Sequence, residues 1–413
     1  MWSLFRDQPG SIQPIPDKAR VTSLPMLWLR AATICVALTM LPVTTSWSGE
    51  NRVQTQLSSR YEHDDNLTLQ VDDTISTGKW VTNLSGKWNH QTPRLSLDLR
   101  GLITDRNHLD ARRFDSTDVD IASTLNWQGQ RLGYSVEVSV SEDTSLTSEV
   151  DTSGLVGSGV DRQSWRFSPQ LNYRINQRWQ LLFSSFATDV DYDTGSGLQD
   201  YDYNAVQAGV TFELKPRQQI SAFLSRSDYQ AQLSGLQTSS DSLLLGWNYQ
   251  LNEVWSTRVS AGLETTKIEQ PTFSTGAESR LHGESVDISL GRVGERSQQH
   301  FSASRSLVPS GSGILLTRDD LKLESRTQLT EKISVVGSIR QLTTENFSTQ
   351  NQLSERTYRE IDLALNWQWN RYWAARMRVI NATQERDTDT NESRRNRISL
   401  SISFSPEARR LAH

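Results

Sequence analysis

The sequence predicts an exported, all-β protein: a transmembrane, antiparallel up-and-down β-barrel of about 18 strands, bounded by about 16 and 20. Three observations predict it. From Arg52 onward, apolar and polar residues alternate with period two. Above that alternation runs a hairpin repeat of roughly 40 residues. The chain is also polar, with 22% charged residues, yet it carries 13 Trp, 10 Tyr and 11 Phe. A disordered chain would lack such aromatics. A barrel with lipid outside and water inside accounts for both properties.

The N-terminus comes first. Ala31 to Val43 is apolar, follows Arg30 and ends at Ser46-Trp47-Ser48. A charged start, a short apolar run and a small-x-small site make a signal peptide. The run is too short and wrongly flanked to span a membrane as a helix. Residues 1–48 are thus expected to be a signal segment with an N-terminal extension, Met26 being the expected true start. Residues 49–413 then form the barrel domain. The sole cysteine, Cys35, falls in the signal, so the mature chain has no disulfide framework and no thiolate metal site.

The strands follow. Trp80, Thr82, Leu84, Gly86 and Trp88 share one face, and Val81, Asn83, Ser85 and Lys87 the other. Val119, Ile121, Leu125 and Trp127 oppose Asp118, Asp120, Thr124 and Asn126. Near the end, Ile361, Leu363, Leu365 and Trp367 oppose Glu360, Asp362, Asn366 and Gln368. Side chains two apart share a strand face, so strict period two signals strands.

The turns come next. Short polar turns follow Trp88, Trp127, Tyr173, Phe212, Tyr249, Leu290, Leu329 and Trp367, and Phe404 closes the series. The opposite connections are longer and acidic or Ser/Gly-rich: 63–76, 105–115, 142–160, 189–202, 267–280, 309–313 and 345–355. Short periplasmic turns and long outer loops are the asymmetry of outer-membrane barrels. Trp88, Trp127, Tyr173, Phe212, Tyr249, Trp367 and Phe404 are the expected periplasmic aromatic girdle, where an amphipathic ring meets both lipid and water. A soluble propeller is the alternative fold, but its repeat should hold four short strands rather than two long ones. The last strand, Ile398 to Phe404, resembles the C-terminal signal read by barrel-insertion machinery, although Ser405 to His413 follow it.

After the opening strand stands Tyr61-Glu62-His63-Asp64-Asp65-Asn66-Leu67. It resembles the aromatic-x-x-Asp-Asn element of outer-membrane barrels linked to exopolysaccharide or exosortase gene clusters. The resemblance implies a barrel associated with polysaccharide production. It implies no mechanism. The same Asp and Asn residues also suit a simple turn.

The search for chemistry yields little. His63, His90, His108, His282, His300 and His413 lack ligand-like spacing. No nucleophile elbow or phosphate loop is present, and no enzyme activity is expected. The net charge of −5 argues against a nucleic-acid partner. No cofactor is expected, with one exception. Asp189, Asp191, Asp193 and Asp200, with Gly195 and Gly197 between, could collect oxygen ligands for Ca²⁺ in an extracellular loop, although the spacing is not an EF-hand.

Strand phase gives the lumen. The inward charge candidates are Asp98, Asp118, Asp120 and Glu137 on early strands, with Glu360, Asp362, Arg376, Arg378, Arg395 and Arg397 on late ones. Arginine on a lipid face costs about 2–4 kcal/mol near the midplane, which forces these side chains inward. One wall is expected to be acidic and the other basic. A porin-like channel for polar solutes or saccharide chains is the leading reading, with the 142–160 loop as constriction. A non-conducting scaffold of a polysaccharide or secretion assembly is the rival, and an outer-membrane enzyme is third. Expected partners are outer-membrane lipid, lipopolysaccharide, the insertion machinery and a polysaccharide.

Overall fold

A computed structural model describes residues 49–413 except 153–158, 194–197, 271–276, 312–314, 347–354, 388–390, 408 and 412–413. The expected signal segment, with Cys35 and Met26, lies outside the described residues.

Eighteen long strands follow one another. They are β1 (Glu50–Asp64), β2 (Thr77–Gln91), β3 (Leu95–His108), β4 (Ser116–Gln128), β5 (Leu132–Thr144) and β6 (Asp161–Arg174). Next come β7 (Trp179–Tyr192), β8 (Tyr201–Lys215), β9 (Gln218–Ala231), β10 (Gln237–Gln250), β11 (Trp255–Gln270) and β12 (Ala277–Val293). The ring is completed by β13 (Ser297–Pro309), β14 (Leu315–Gln328), β15 (Ile333–Asn346), β16 (Glu355–Gln368), β17 (Trp373–Arg386) and β18 (Ser393–Phe404). Each strand pairs antiparallel with its neighbours in sequence. The ring closes where β1 meets β18, from Leu57 opposite Phe404 to Asp64 opposite Arg397. A closed ring leaves no open edge, so the backbone groups at membrane depth pair within the wall, with a lapse between β6 and β7 at Ser168 and Pro169. Among the described residues no helix is long and apolar enough to cross a membrane.

The chain does not stop at Phe404. After a break it rejoins the sheet as β19 (Arg409–Leu411), opposite Asn51–Val53 of β1. The residues beyond the closing aromatic therefore continue the last strand's work on the same partner.

Alternation separates the two faces. Leu263 is 70% exposed, Leu400 60% and Leu363 55%, all on the outside. In water that surface would be a liability; against lipid tails it is the stable arrangement. The inward phase of the same strands carries Ser, Thr, Asn, Gln and charge. This is the organisation of an outer-membrane barrel. The aromatics Trp88, Trp127, Tyr173, Phe212, Tyr249, Trp367 and Phe404 fall on the outward phase beside the short turns. Neighbours thicken the belt: Trp179 lies 4.6 Å from Phe212 and Trp373 4.9 Å from Phe404, centroid to centroid.

Three of the short turns have a shared cause. The Asn252 side-chain oxygen accepts the backbone N–H groups of Val254 and Trp255 at 2.9 and 2.8 Å. Asn176 and Asn370 do the same for Arg178 with Trp179 and for Tyr372 with Trp373. An Asx turn reverses the chain in few residues and satisfies donors that the ladder has released. On the opposite side, two connections absent from the sequence-based set also appear, 232–236 and 387–392, while β11 and β12 run further into the 267–280 loop than expected.

Candidate functional site: the lumen and its mouth

The inner wall is a lattice of cross-strand ion pairs. On the early strands, Asp98 accepts from Lys87 at 3.1 Å and from the Asn89 amide at 3.1 Å. Glu137 meets Arg100 at 3.0 Å. Asp118 is buried against Arg106 and presents no charge to the lumen. Asp143 and Arg162 form a bidentate pair, with both contacts at 2.9 Å. The expected acidic wall is therefore corrected: Lys87, Arg100, Arg106 and Arg162 interleave with the acids. They lie in the same inward phase, where a cross-strand partner costs less than a bare carboxylate.

The late strands behave alike. Arg378 holds Asp362 with contacts of 2.9 and 2.6 Å. Arg397 reaches Glu360 at 3.5 Å, and Glu360 also accepts the Tyr358 hydroxyl at 2.5 Å. Arg395 is buried on Asp64. The expected stripe of four bare guanidiniums is thus reduced. Arg376 is exposed to the lumen and forms no ion pair among the described residues, and the same holds for Arg326 on β14. Two strong pairs escaped the sequence reading, Arg340 with Asp320 at 2.8 Å and Lys79 with Glu62 at 3.0 Å. Their phase was legible, but their partners were not: Lys79 stands directly opposite Glu62, and Arg340 lies diagonal to Asp320.

Loops narrow the extracellular mouth. Helix α1 (Ser145–Thr152) follows β5. Its Leu146 packs on a buried cluster of Leu69, Leu342, Tyr358 and Ala382. Those residues belong to the β1–β2 loop and to β15, β16 and β17, so the β5–β6 loop leans across the interior. A second crossing comes from the β13–β14 loop. Tyr229 of β9 donates its hydroxyl to the Ser310 carbonyl at 3.0 Å, and the Gln199 N–H donates to the Gly311 carbonyl at 2.7 Å. Glycine lets the loop approach closely: a Cβ at 311 would sit 2.4 Å from the Tyr192 hydroxyl oxygen, so that ring or the loop would have to shift. Leu315 completes a buried cluster with Val190, Tyr192, Tyr201 and Tyr229.

The Asp64-Asp65-Asn66 element does more than turn the chain. It spans the closing seam. Asp64 is fully buried and takes the Arg395 Nε at 3.0 Å. Asp65 accepts the backbone and side-chain N–H groups of Asn396 at 2.6 and 2.8 Å. Asn66 donates to the Arg394 carbonyl at 2.9 Å and to the Gln70 carbonyl at 2.8 Å. One motif thus ties first strand, last strand and first loop together.

The acidic 189–200 loop is described only in part. Among the described residues, no group of three or more His, Cys, Asp or Glu could hold a metal ion. Asp189 and Asp191 lie on the outward phase of β7, and the Asp200 carboxylate is occupied by the Tyr192 N–H at 2.7 Å. The Asp200 carboxylate is thus engaged by the β7 backbone, while Asp189 and Asp191 share one face of that strand. Gly195 and Gly197 lie outside the described residues.

No family model matches the chain, and no curated protein matches it. Among solved structures it is similar to OccAB4 of Acinetobacter baumannii, at 10% identity over 88% of this chain and 100% of that one, with a TM-score of 0.46. It is similar to OccK2 (OpdF) of Pseudomonas aeruginosa, at 11% identity over 88% and 98%, with a TM-score of 0.46. It is also similar to P. aeruginosa OpdK with vanillate, at 12% identity over 86% and 98%, with a TM-score of 0.45. The barrel itself rests on the strand register above.

Proposed function

We propose that the protein is an outer-membrane, porin-like channel for small polar solutes, with a wall on β14 to β18 that favours anionic groups. One observation carries this reading. Arg326 and Arg376 face the interior without a carboxylate partner, in a wall where Arg340, Arg378 and Arg397 each have one. A guanidinium keeps its charge in any surroundings, so these two attract anions from the water that fills a barrel of this size. The likeness of the Tyr61–Leu67 element to exopolysaccharide-linked barrels supports an acidic saccharide chain as one such solute. The outward rim beside the long loops carries Arg226, Arg305, Arg359 and Arg394, each paired with a carboxylate; lipopolysaccharide remains an expected partner through the apolar outer face. Ile398 to Phe404 supplies the outward alternation expected of a strand read by the insertion machinery.

The test is the reversal potential of the purified barrel in a planar bilayer under a salt gradient. Arg326→Gln with Arg376→Gln should make the pore less anion-preferring than the native one. A conducting barrel with unchanged preference would remove the two arginines from the path. A barrel that never conducts favours the second reading, a non-conducting scaffold. The specific observation on that side is the pair of loops that cross the mouth.

A further inference from the structure

A cavity of about 990 Å³ lies against the inner wall of the first six strands, away from the Arg326 and Arg376 wall. Its floor is built from small side chains. In register, Arg100 of β3 stands opposite Ala122 of β4, Ala122 opposite Ser139 of β5, and Ser139 opposite Arg166 of β6. The adjoining row runs from Asp120 through Ser141 to Ser164. Alanine and serine between longer charged residues leave the hollow, and the serine hydroxyls give it hydrogen-bonding capacity.

The charges around this floor divide into two kinds. Arg100 with Glu137, Arg162 with Asp143, and Lys87 with Asp98 are mutually neutralised at 3.0, 2.9 and 3.1 Å. Asp120 and Arg166 are both exposed to the cavity, and neither forms an ion pair among the described residues. Arg166 is steadied without being neutralised, its guanidinium lying 5.5 Å from the centre of the Phe186 ring. The two are separated by two strand spacings and one inward step. That places their Cα atoms roughly 12 Å apart, from about 4.8 Å between strands and about 3.4 Å of rise per residue. The two make no ion pair with one another, and a molecule bridging them would lie across the small floor. No aromatic side chain lines the cavity, so it offers no ring for stacking.

We propose that this cavity is a binding site for a small zwitterion, with Asp120 holding its ammonium group, Arg166 its carboxylate, and the serine floor its central polar atoms. A solute with a single charge would satisfy one residue and leave the other bare. The neighbouring pairs, already neutral, set the shape of the site and do not compete for the ligand. The inference deepens the channel reading by naming a solute class, and rests on that reading only for how a solute arrives.

Calorimetry on the detergent-folded full barrel tests it without requiring conduction. The probes are diglycine, N-acetylglycine and glycinamide, of similar chemistry but zwitterionic, anionic and cationic. Diglycine should bind roughly tenfold tighter than either, the worth of one additional charge-assisted contact. Asp120→Asn should reduce diglycine to the N-acetylglycine level, and Arg166→Gln to the glycinamide level. Both side chains are exposed and lack ion-pair partners, so both variants should keep the folded gel mobility. Should either fail to fold, Asp120→Ser and Arg166→Met replace them. Diglycine binding no tighter than the singly charged probes, or binding unaffected by either substitution, overturns the proposal. A barrel that binds diglycine but never conducts would sink the channel reading and leave the site standing. One that conducts with anion preference but ignores diglycine would do the reverse.

Discussion

Asp64→Ala should be among the most damaging single substitutions in the barrel wall. The Asp64 side chain is 0% exposed and that of Arg395 is 9% exposed, so the pair is shielded from solvent. Removing the carboxylate leaves a buried guanidinium that cannot lose its proton. Breaking one side of such a pair costs about 3–5 kcal/mol. The Asn66 N–H, which donates to Asp64 at 3.2 Å, loses its acceptor as well. The damage falls on the seam, where residues 331 positions apart in sequence must find each other. The assay is urea unfolding in detergent, read from the heat-modifiable band on gels. The single variant should lose stability in that range, and Asp64→Leu with Arg395→Met should recover most of it, since an apolar pair leaves no orphaned charge. A loss below about 1 kcal/mol for the single variant, or a double variant as unstable as the single, would refute the role of the Asp64–Arg395 pair in holding the seam.

Two further outcomes follow from the faces and the mouth. Leu365 is 45% exposed on the outer surface, so Leu365→Arg should cost about 2–4 kcal/mol if it lies near the bilayer midplane, whereas the inward Asn366→Arg should be tolerated; equal unfolding curves would mean the assigned phase is wrong. Gly311→Val should push the β13–β14 loop off Tyr192 and raise single-channel conductance; unchanged conductance would mean that this loop is not a constriction.

Much of this was legible in the sequence because a membrane barrel repeats one physical rule at every strand. Lipid outside and water inside impose period two, so Leu363 and Asp362 declare their faces without any knowledge of their neighbours. The outward phase of the aromatics beside the short turns follows the same rule, as does the inward phase of Asp98, Asp120, Glu137 and Arg376. The Asn-based turns announce themselves locally, since the side chain and the amides it caps lie within three residues.

What phase cannot reveal is partnership. Asp118 and Asp120 share a face, yet Asp118 is buried on Arg106 while Asp120 is free, because diagonal neighbours come from other strands. Arg395 read as part of a basic stripe until the ring closed and brought Asp64 beside it. Asp200 looked like one of a cluster with Asp189 and Asp191 along the chain, and the fold turned its carboxylate to the Tyr192 backbone N–H instead. By itself the sequence determined the barrel, its strand count, its two faces and the short-turn end, because each is set by local periodicity against two solvents. Tertiary structure alone decided which charges are cancelled, which loops cross the mouth and where a hollow opens in the wall. Those depend on register between strands and on ring closure, and both are set by contacts between residues far apart in the chain.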